Sequence, residues 1–334
     1  MIGNHANNSL PEFSHLEPDV VLQLVEATLG RRASNLCRPL TSYINRVYDI
    51  QMEAGDWVVA KFYRPGRWSR TALQDELDFV CALAAADIPV IAPLPGTDGN
   101  LLHERHGLHF CVMPKKGGRP LEEPTDEQWR ELGRLIGRMH LIGAQQMPRD
   151  RVRLHPQDST RTHREEILAL DFPMTSLRNQ FAELTEELIE EISPRFDDMQ
   201  PIRIHGDCHR ANILCRPGEP FILIDFDDMA VGPSAQDLWM MLPDHLRHCT
   251  REFDALIEGY ETFREFDWAE KALIEPLRAM RFLHYTAWCA RQVRDGGFAR
   301  LSPAFGTAGF WRQEIDDLER QLQEIRDDQP GLAR

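Results

Sequence analysis

The sequence predicts an α+β fold of two lobes: a small antiparallel β lobe carrying one long helix, then a larger lobe that is mainly α. Three observations predict it. Short runs of Val, Ile, Tyr and Trp crowd Arg38 to Tyr63, apolar residues at helical spacing dominate after Pro124, and one β interruption breaks that helical stretch between Ile202 and Ile224. A length of 334 residues accommodates about two domains of roughly 100 to 200 residues each.

The first 15 residues are polar and are expected to be mobile. Pro18 suits the first helical position of a segment ending at Gly30. Arg38 to Tyr63 reads as consecutive antiparallel strands with a turn at Ala54, Gly55 and Asp56. Trp68 to Ala86 has helical spacing, and Pro89 stops it. Ile88 to Leu94 and Leu108 to Met113 read as two more strands, which gives a sheet of about five and closes the first lobe at residue 113. Pro114 to Pro124, rich in Pro, Gly and charge, opens the second lobe, 114–334, as a connection. Helices are expected at Asp126 to Leu141, Arg161 to Ala169, Leu177 to Ile192, Ala235 to Met241, Arg251 to Phe263, Trp268 to Arg294 and Phe310 to Ile325. Short apolar strands at Ile202 to Ile204, Ile213 to Cys215 and Phe221 to Ile224 interrupt them, and the polar residues at their ends are site candidates. The tail after Asp327 is expected to fray.

With 38 basic and 53 acidic residues the net charge is −15, which argues against a general nucleic-acid binder. The longest apolar run, Phe79 to Ala86, is eight residues, far below the roughly 20 that a membrane helix needs. The N-terminus has neither the basic nor the apolar region of a secretory signal, so a cytoplasmic protein is expected. Seven scattered cysteines without a Cys-x-x-Cys pair read as reduced thiols.

The chemistry concentrates around the β interruption. After Ile204 come His205, Gly206, Asp207, Cys208, His209, Arg210, Ala211 and Asn212, and the third short strand runs into Asp225, Phe226, Asp227 and Asp228. Asp207 and Asn212 have the spacing of the Asp-x-x-x-x-Asn catalytic loop of protein kinases, and Asp225 ends a strand as their metal-binding Asp does. Phosphoryl transfer needs such residues. A carboxylate and an amide oxygen suit Mg²⁺, which prefers oxygen ligands, and a further carboxylate, Asp207, can accept a hydrogen bond from the acceptor hydroxyl. A turn with Asx bonds is the structural alternative. His205 is expected to brace the loop backbone, and Cys208, His209 and Cys215 lack a second ligand pair at zinc spacing.

In the first lobe Lys61 interrupts the apolar strand Trp57 to Tyr63, resembling the kinase strand whose lysine holds the α- and β-phosphates. Leu73, Leu77, Val80 and Ala84 form one stripe on the next helix, and Glu76 falls within it. An unpaired buried carboxylate is costly, so a Lys61 to Glu76 ion pair accounts for both residues. Two departures exclude an ordinary eukaryotic-type kinase: Leu40 to Arg46 contains no glycine, so Ser42 and its neighbours must meet the phosphates, and Asp225 is followed by Phe226 and Asp227 rather than Phe-Gly, with no Ala-Pro-Glu segment downstream.

The His-Gly-Asp-x-x-x-x-Asn run at His205 to Asn212 and the strand end at Ile224 and Asp225 resemble the aminoglycoside phosphotransferase and choline kinase superfamily, which has a bilobal protein-kinase-like fold. Ser42 to Tyr48, Lys61 to Arg67, His205 to Leu214, Gln236 to Trp239 and Glu275 to Arg281 resemble a bacterial branch of stress-response serine/threonine protein kinases, and the likeness runs from Leu16 to Ile325. The resemblance implies ATP and Mg²⁺ as cofactors, Asp207 as proton acceptor, Asn212 and Asp225 as metal ligands, Ser42, Lys61, Glu76 and Met113 at the nucleotide, and a cytoplasmic monomer acting on Ser or Thr of proteins. The same site would serve a small-molecule kinase, and a pseudokinase would keep the fold without transfer. Asp237 either ties the catalytic loop to a helix or forms a capping box with Ser234. Arg278 and Arg281 line the acceptor side or are salt-bridged, and Arg64, Arg67 and Arg70 read as a solvated loop face.

Overall fold

The computed structural model describes residue 13 and residues 16–293 and 302–327. The expectations for the polar N-terminal stretch, for the tail after Asp327 and for Arg294 fall outside these, apart from Phe13, which is buried in the core of the first sheet rather than mobile. The chain forms two compact units. One gathers Met1–Pro124, Gln145–Arg151 and His209–Met229; the other gathers Thr125–Ala144, Val152–Cys208 and Ala230–Arg334.

In the first unit, α1 (Pro18–Leu29) begins on its proline and ends where Gly30, at φ 63°, donates its N–H to Glu26 O at 2.8 Å. Five strands follow: β1 (Ala33–Leu40), β2 (Arg46–Met52), β3 (Trp57–Phe62), β4 (His103–Arg105) and β5 (Leu108–Pro114), antiparallel in the order β1-β2-β3-β5-β4. Alternation along β3 divides its side chains between the two faces. Val58, Ala60 and Phe62 pack with Val21 and Val25 of α1, whereas Val59 and Lys61 point the other way, beside Met113 and Val47 in the register. α2 (Arg70–Ala85), capped by Ser69 Oγ on Ala72 N, lays Leu73 and Leu77 against Tyr63, Leu102 and Cys111.

The expected strand at Ile88 to Leu94 does not form. Pro89 and Pro93 remove two donors from the segment, which makes an isolated bridge, Val90 to Leu223, and donates from Leu94 N to Val112 O at 2.7 Å without forming a strand. The fifth strand is His103–Arg105 instead. The same unit contains a small sheet in which Ile213–Cys215 pairs with Arg119–Pro120 on one side and Ile222–Leu223 on the other.

Among the described residues the second unit is mainly helical: α3 (Asp126–Gly143), α4 (Arg161–Leu168), α5 (Thr175–Ile192), α6 (Ala235–Trp239), α7 (Thr250–Tyr260), α8 (Ile274–Gln292) and α9 (Ala308–Asp327), with an antiparallel strand pair, Ile202–Ile204 and Ala230–Gly232. α3 starts from a capping box between Thr125 and Gln128. Trp268 to Arg294 is not one helix; a 3₁₀ segment, Trp268–Leu273, precedes α8, whose first turn holds Pro276 where no N–H is needed. α3 and α7 approach on glycines. A Cβ on Gly133 would lie 1.9 Å from Leu256 O, and one on Gly259 would lie 2.0 Å from Arg130 O. No helix among the described residues is long and apolar enough to cross a membrane.

Candidate active site

In the first unit a cavity of about 380 Å³ opens against the α2 face of the sheet. Val47, Val59, Val80, Ile91, Met113 and Leu223 give it apolar walls; Thr41, Ser42, Asn45, Lys61, Glu76 and Asp225 give it polar ones. Ser42, Lys61, Glu76, Met113 and Asp225, five of the residues singled out from sequence, thus share one cavity.

Lys61 is buried among three carboxylates. Its Nζ lies 3.5 Å from Glu76 Oε1 and 3.3 Å from Asp225 Oδ1, and it also pairs with Asp227. Burial alone would strip the amine of its proton, but Asp227, Glu76 and Asp225 outweigh that and raise its pKa well above the ordinary lysine value. Burial raises the Glu76 carboxyl despite Lys61 and Arg151, whereas Asp227 is held down at about 2 because Lys61 and Arg67 overcome its burial. Glu76 is fixed from both sides, by Tyr63 OH at 3.2 Å on Oε1 and Arg151 Nη2 at 3.0 Å on Oε2.

Asp225 adopts φ 62°, a left-handed conformation that aspartate tolerates better than most residues. Its side chain is 54% exposed, and the turn after it is anchored by Phe226 stacked edge-on to Phe79 of α2 at 5.8 Å. Ile213 pairs with Leu223, and Ile224 N donates to Asn212 O at 3.0 Å, so Asn212 sits across from the residue preceding Asp225. The open end of this one hairpin therefore brings an amide-bearing and a carboxylate-bearing residue to the same end of the small sheet.

Three participants escaped sequence reading. Asp227 holds Lys61 and Arg67, and Asn45 donates through Nδ2 to Asp227 while its Oδ1 accepts from Arg64 N at 3.1 Å. Arg151 donates to Glu76, to Ala72 O at 2.8 Å and to Asp227 O at 2.7 Å, with its guanidinium over the Trp68 ring. Asp227 and Asn45 lie inside motifs already quoted; Arg151 has no local signal. Arg67 is not solvated, as it binds Asp227 at 3.1 Å and Asp228 at 2.7 Å.

Asp207 belongs to the second unit. Asp237 of α6 accepts from His205 N at 2.7 Å and Gly206 N at 2.9 Å, and its Oδ2 lies 3.0 Å from His140 Nε2. Gln236 Nε2 donates to Gly206 O at 3.2 Å. Asp237 thus ties the loop to a helix, and the alternative capping box does not form, because Ser234 Oγ donates to Glu270 at 2.6 Å. The His205 imidazole braces the backbone, its Nδ1 accepting from Asp207 N at 3.3 Å. Arg281 Nη2 donates to Asp207 Oδ1 at 2.6 Å, while Arg278 binds Glu275 and Asp244 O. Burial pushes the Cys208 thiol well up, so it stays protonated.

The sequence signature of the phosphotransferase enzymes matches residues 37–274. Over 322 residues the chain is 35% identical to stress response kinase A of Escherichia coli strain K12, covering 96% of this chain and 97% of that protein. Over 316 residues it is 33% identical to serine/threonine protein kinase RdoA of Salmonella typhimurium strain LT2, covering 94% and 95%. Among solved structures, amicoumacin kinase in complex with AMP-PNP, Ca²⁺ and Ami superposes with TM-score 0.70 at 20% identity over 93% of this chain and 94% of that one. A microcompartment-associated aminopropanol kinase superposes with TM-score 0.70 at 18% identity over 92% and 98%. These two likenesses show the bilobal α+β kinase-like fold.

Proposed function

Since the chain belongs to the phosphotransferase enzyme family, we propose that it is an ATP- and Mg²⁺-dependent serine/threonine protein kinase of the stress response kinase A type, acting as a monomer in the cytoplasm. The carrying observation is the buried Lys61, paired with Glu76 and Asp225 at one cavity with Asn212 registered beside the same strand end. The name of the Salmonella relative, serine/threonine protein kinase RdoA, matched across nearly the whole chain, supports a protein acceptor. In this reading residues 1–113 hold the nucleotide, and residues 114–334 supply the metal ligands, the proton acceptor and the acceptor site.

The apolar walls, with Met113, suit a purine base, and Lys61 and Ser42 offer an ammonium and a hydroxyl to the phosphates. Glu76, held by Arg151 and Tyr63, keeps Lys61 in place. The donor set fits a hard divalent cation: Asp225 contributes a half-exposed carboxylate and Asn212 an amide oxygen, with no sulfur or imidazole between them. Magnesium, when bound, would neutralise charge on the β- and γ-phosphates. Asp207 accepts the hydrogen bond of the acceptor hydroxyl. As the hydroxyl oxygen forms its bond to the γ-phosphorus, the bond from that phosphorus to the β,γ-bridging oxygen breaks, its electron pair leaves with ADP, and the hydroxyl proton passes to the Asp207 carboxylate.

The test is incubation with γ-labelled ATP and a basic generic protein, beside a panel of choline, homoserine and aminoglycosides. Label is expected on Ser and Thr of protein; label in a small alcohol alone would overturn the protein acceptor. Asp207→Ala is expected to lose on the order of 10² to 10⁴ in rate with nucleotide binding kept. A variant equal to wild type in each assay would end the phosphotransfer reading.

A further inference from the structure

Arg281 stands apart from the arginine one turn before it. Arg278 spends its guanidinium on α8 and its surroundings: Glu275 at 3.3 Å, Asp244 O at 3.1 Å and the Trp239 ring. Arg281 reaches the one side chain of the loop for which the reaction needs an orientation, donating to Asp207 Oδ1 at 2.6 Å. The loop backbone is secured without it. Asp237 takes the His205 and Gly206 N–H groups, Gln236 takes the Gly206 carbonyl, and His205 takes the Asp207 N–H. Arg281 therefore adds little to holding the loop; what it fixes is the carboxylate itself, by a charge-assisted bond to one named oxygen.

We propose that Arg281 is a positioning residue for phosphoryl transfer, which anchors Oδ1 of Asp207 so that the carboxylate meets the acceptor hydroxyl in one orientation. This inference rests on the reading of Asp207 as proton acceptor. A charge-assisted bond to one oxygen narrows the orientations the carboxylate can present to the acceptor hydroxyl. Near-attack alignment is worth large factors in rate. A guanidinium also delivers a directional N–H where an ammonium delivers a point charge, so lysine should replace Arg281 only in part.

Arg281→Met and Arg281→Lys, each alone and with Asp207→Ala, are assayed for protein phosphorylation beside wild type, with binding of a fluorescent ATP analogue and thermal unfolding measured on the same samples. Arg281→Met is expected to lower kcat on the order of 10- to 100-fold, with the KM for ATP within about twofold of wild type. Arg281→Lys should recover part of that loss, and adding Arg281→Met to Asp207→Ala should lower the rate no further, since the arginine acts only through the carboxylate. Wild-type kcat in Arg281→Met or Arg281→Lys would overturn the proposal, as would a full independent loss in the double variant. Should Arg281→Met fail to fold, Arg281→Lys decides: a kcat loss at unchanged KM and unfolding temperature supports positioning, and no loss overturns it. If Asp207→Ala alone keeps full transfer, the reading of the site fails first, and the two failures are thereby told apart.

Discussion

Lys61 and Glu76 were legible as a pair because each breaks an apolar pattern, one on a strand and one on a helix, and an ionised group buried unpaired is costly. The rest of their shell was not legible. Arg151 lies 75 residues beyond Glu76, and nothing in its neighbours marks it as the fully buried guanidinium that ties two residues of α2 to the turn at Asp227. Local pattern reports which residue is out of place; it does not report which distant residue answers it. His163 of α4 shows the same blindness on the second unit. Its Nδ1 is buried without a hydrogen-bond partner among the described residues, and burial, aided by His284, Arg291 and Arg281, pushes the imidazole down to about 3. The folded chain keeps His163 neutral, while the unfolded chain protonates it below its ordinary value of 6.5. Its contribution is therefore intact above that pH and is lost as pH falls toward 3, at up to about 1.4 kcal/mol per pH unit. His163→Gln should flatten the loss of stability in urea between pH 6.5 and 4 relative to wild type; an unchanged slope would show that other groups carry the acid limb.

At the scale of elements, the first three strands and the helices, apart from Trp268 to Arg294 with its 3₁₀ start, followed from periodicity and from Pro and Gly punctuation, and their boundaries shifted by a few residues. Ile88 to Leu94 misled because its apolar residues resemble a strand while its prolines forbid one, and the true edge strand, His103–Arg105, is too short and polar to announce itself. The packing of α3 on α7 is similarly invisible in a hydrophobic pattern, since it depends on what is missing at Gly133 and Gly259. Gly259→Ala would push a methyl group into Arg130 O, and we expect a loss of about 3 kcal/mol, the upper end for overpacking, read as a lower urea midpoint at constant slope. Gly309→Ala, in the first turn of α9 with only Thr307 Oγ1 at 3.9 Å, is the matched control. It should be neutral or raise stability by about 0.5 to 1 kcal/mol; a loss equal to that of Gly259→Ala would mean that helix contact is not the cause.

For the whole molecule, the division of the chain is one that a linear reading does not give. Segments Gln145–Arg151 and His209–Met229 return to the sheet unit after the helical unit has begun. They bring Arg149, which donates from N and Nε to buried Asp75 at 2.8 Å each, along with Arg151, Asp225 and Asp227. A fragment ending at Pro124 contains all five strands of the main sheet yet leaves Asp75 and Glu76 without these cations and Lys61 without two of its three carboxylates. Such a fragment should lack a cooperative unfolding transition and dispersed amide resonances; a dispersed spectrum with a sharp transition would contradict it. The same threading imposes an order on biosynthesis. Between emergence of residue 124 and residue 229 the ribosome needs roughly 5 to 20 s, and for that interval the nascent sheet holds charges whose counterparts have yet to be made, a window in which a holding chaperone has something to grip.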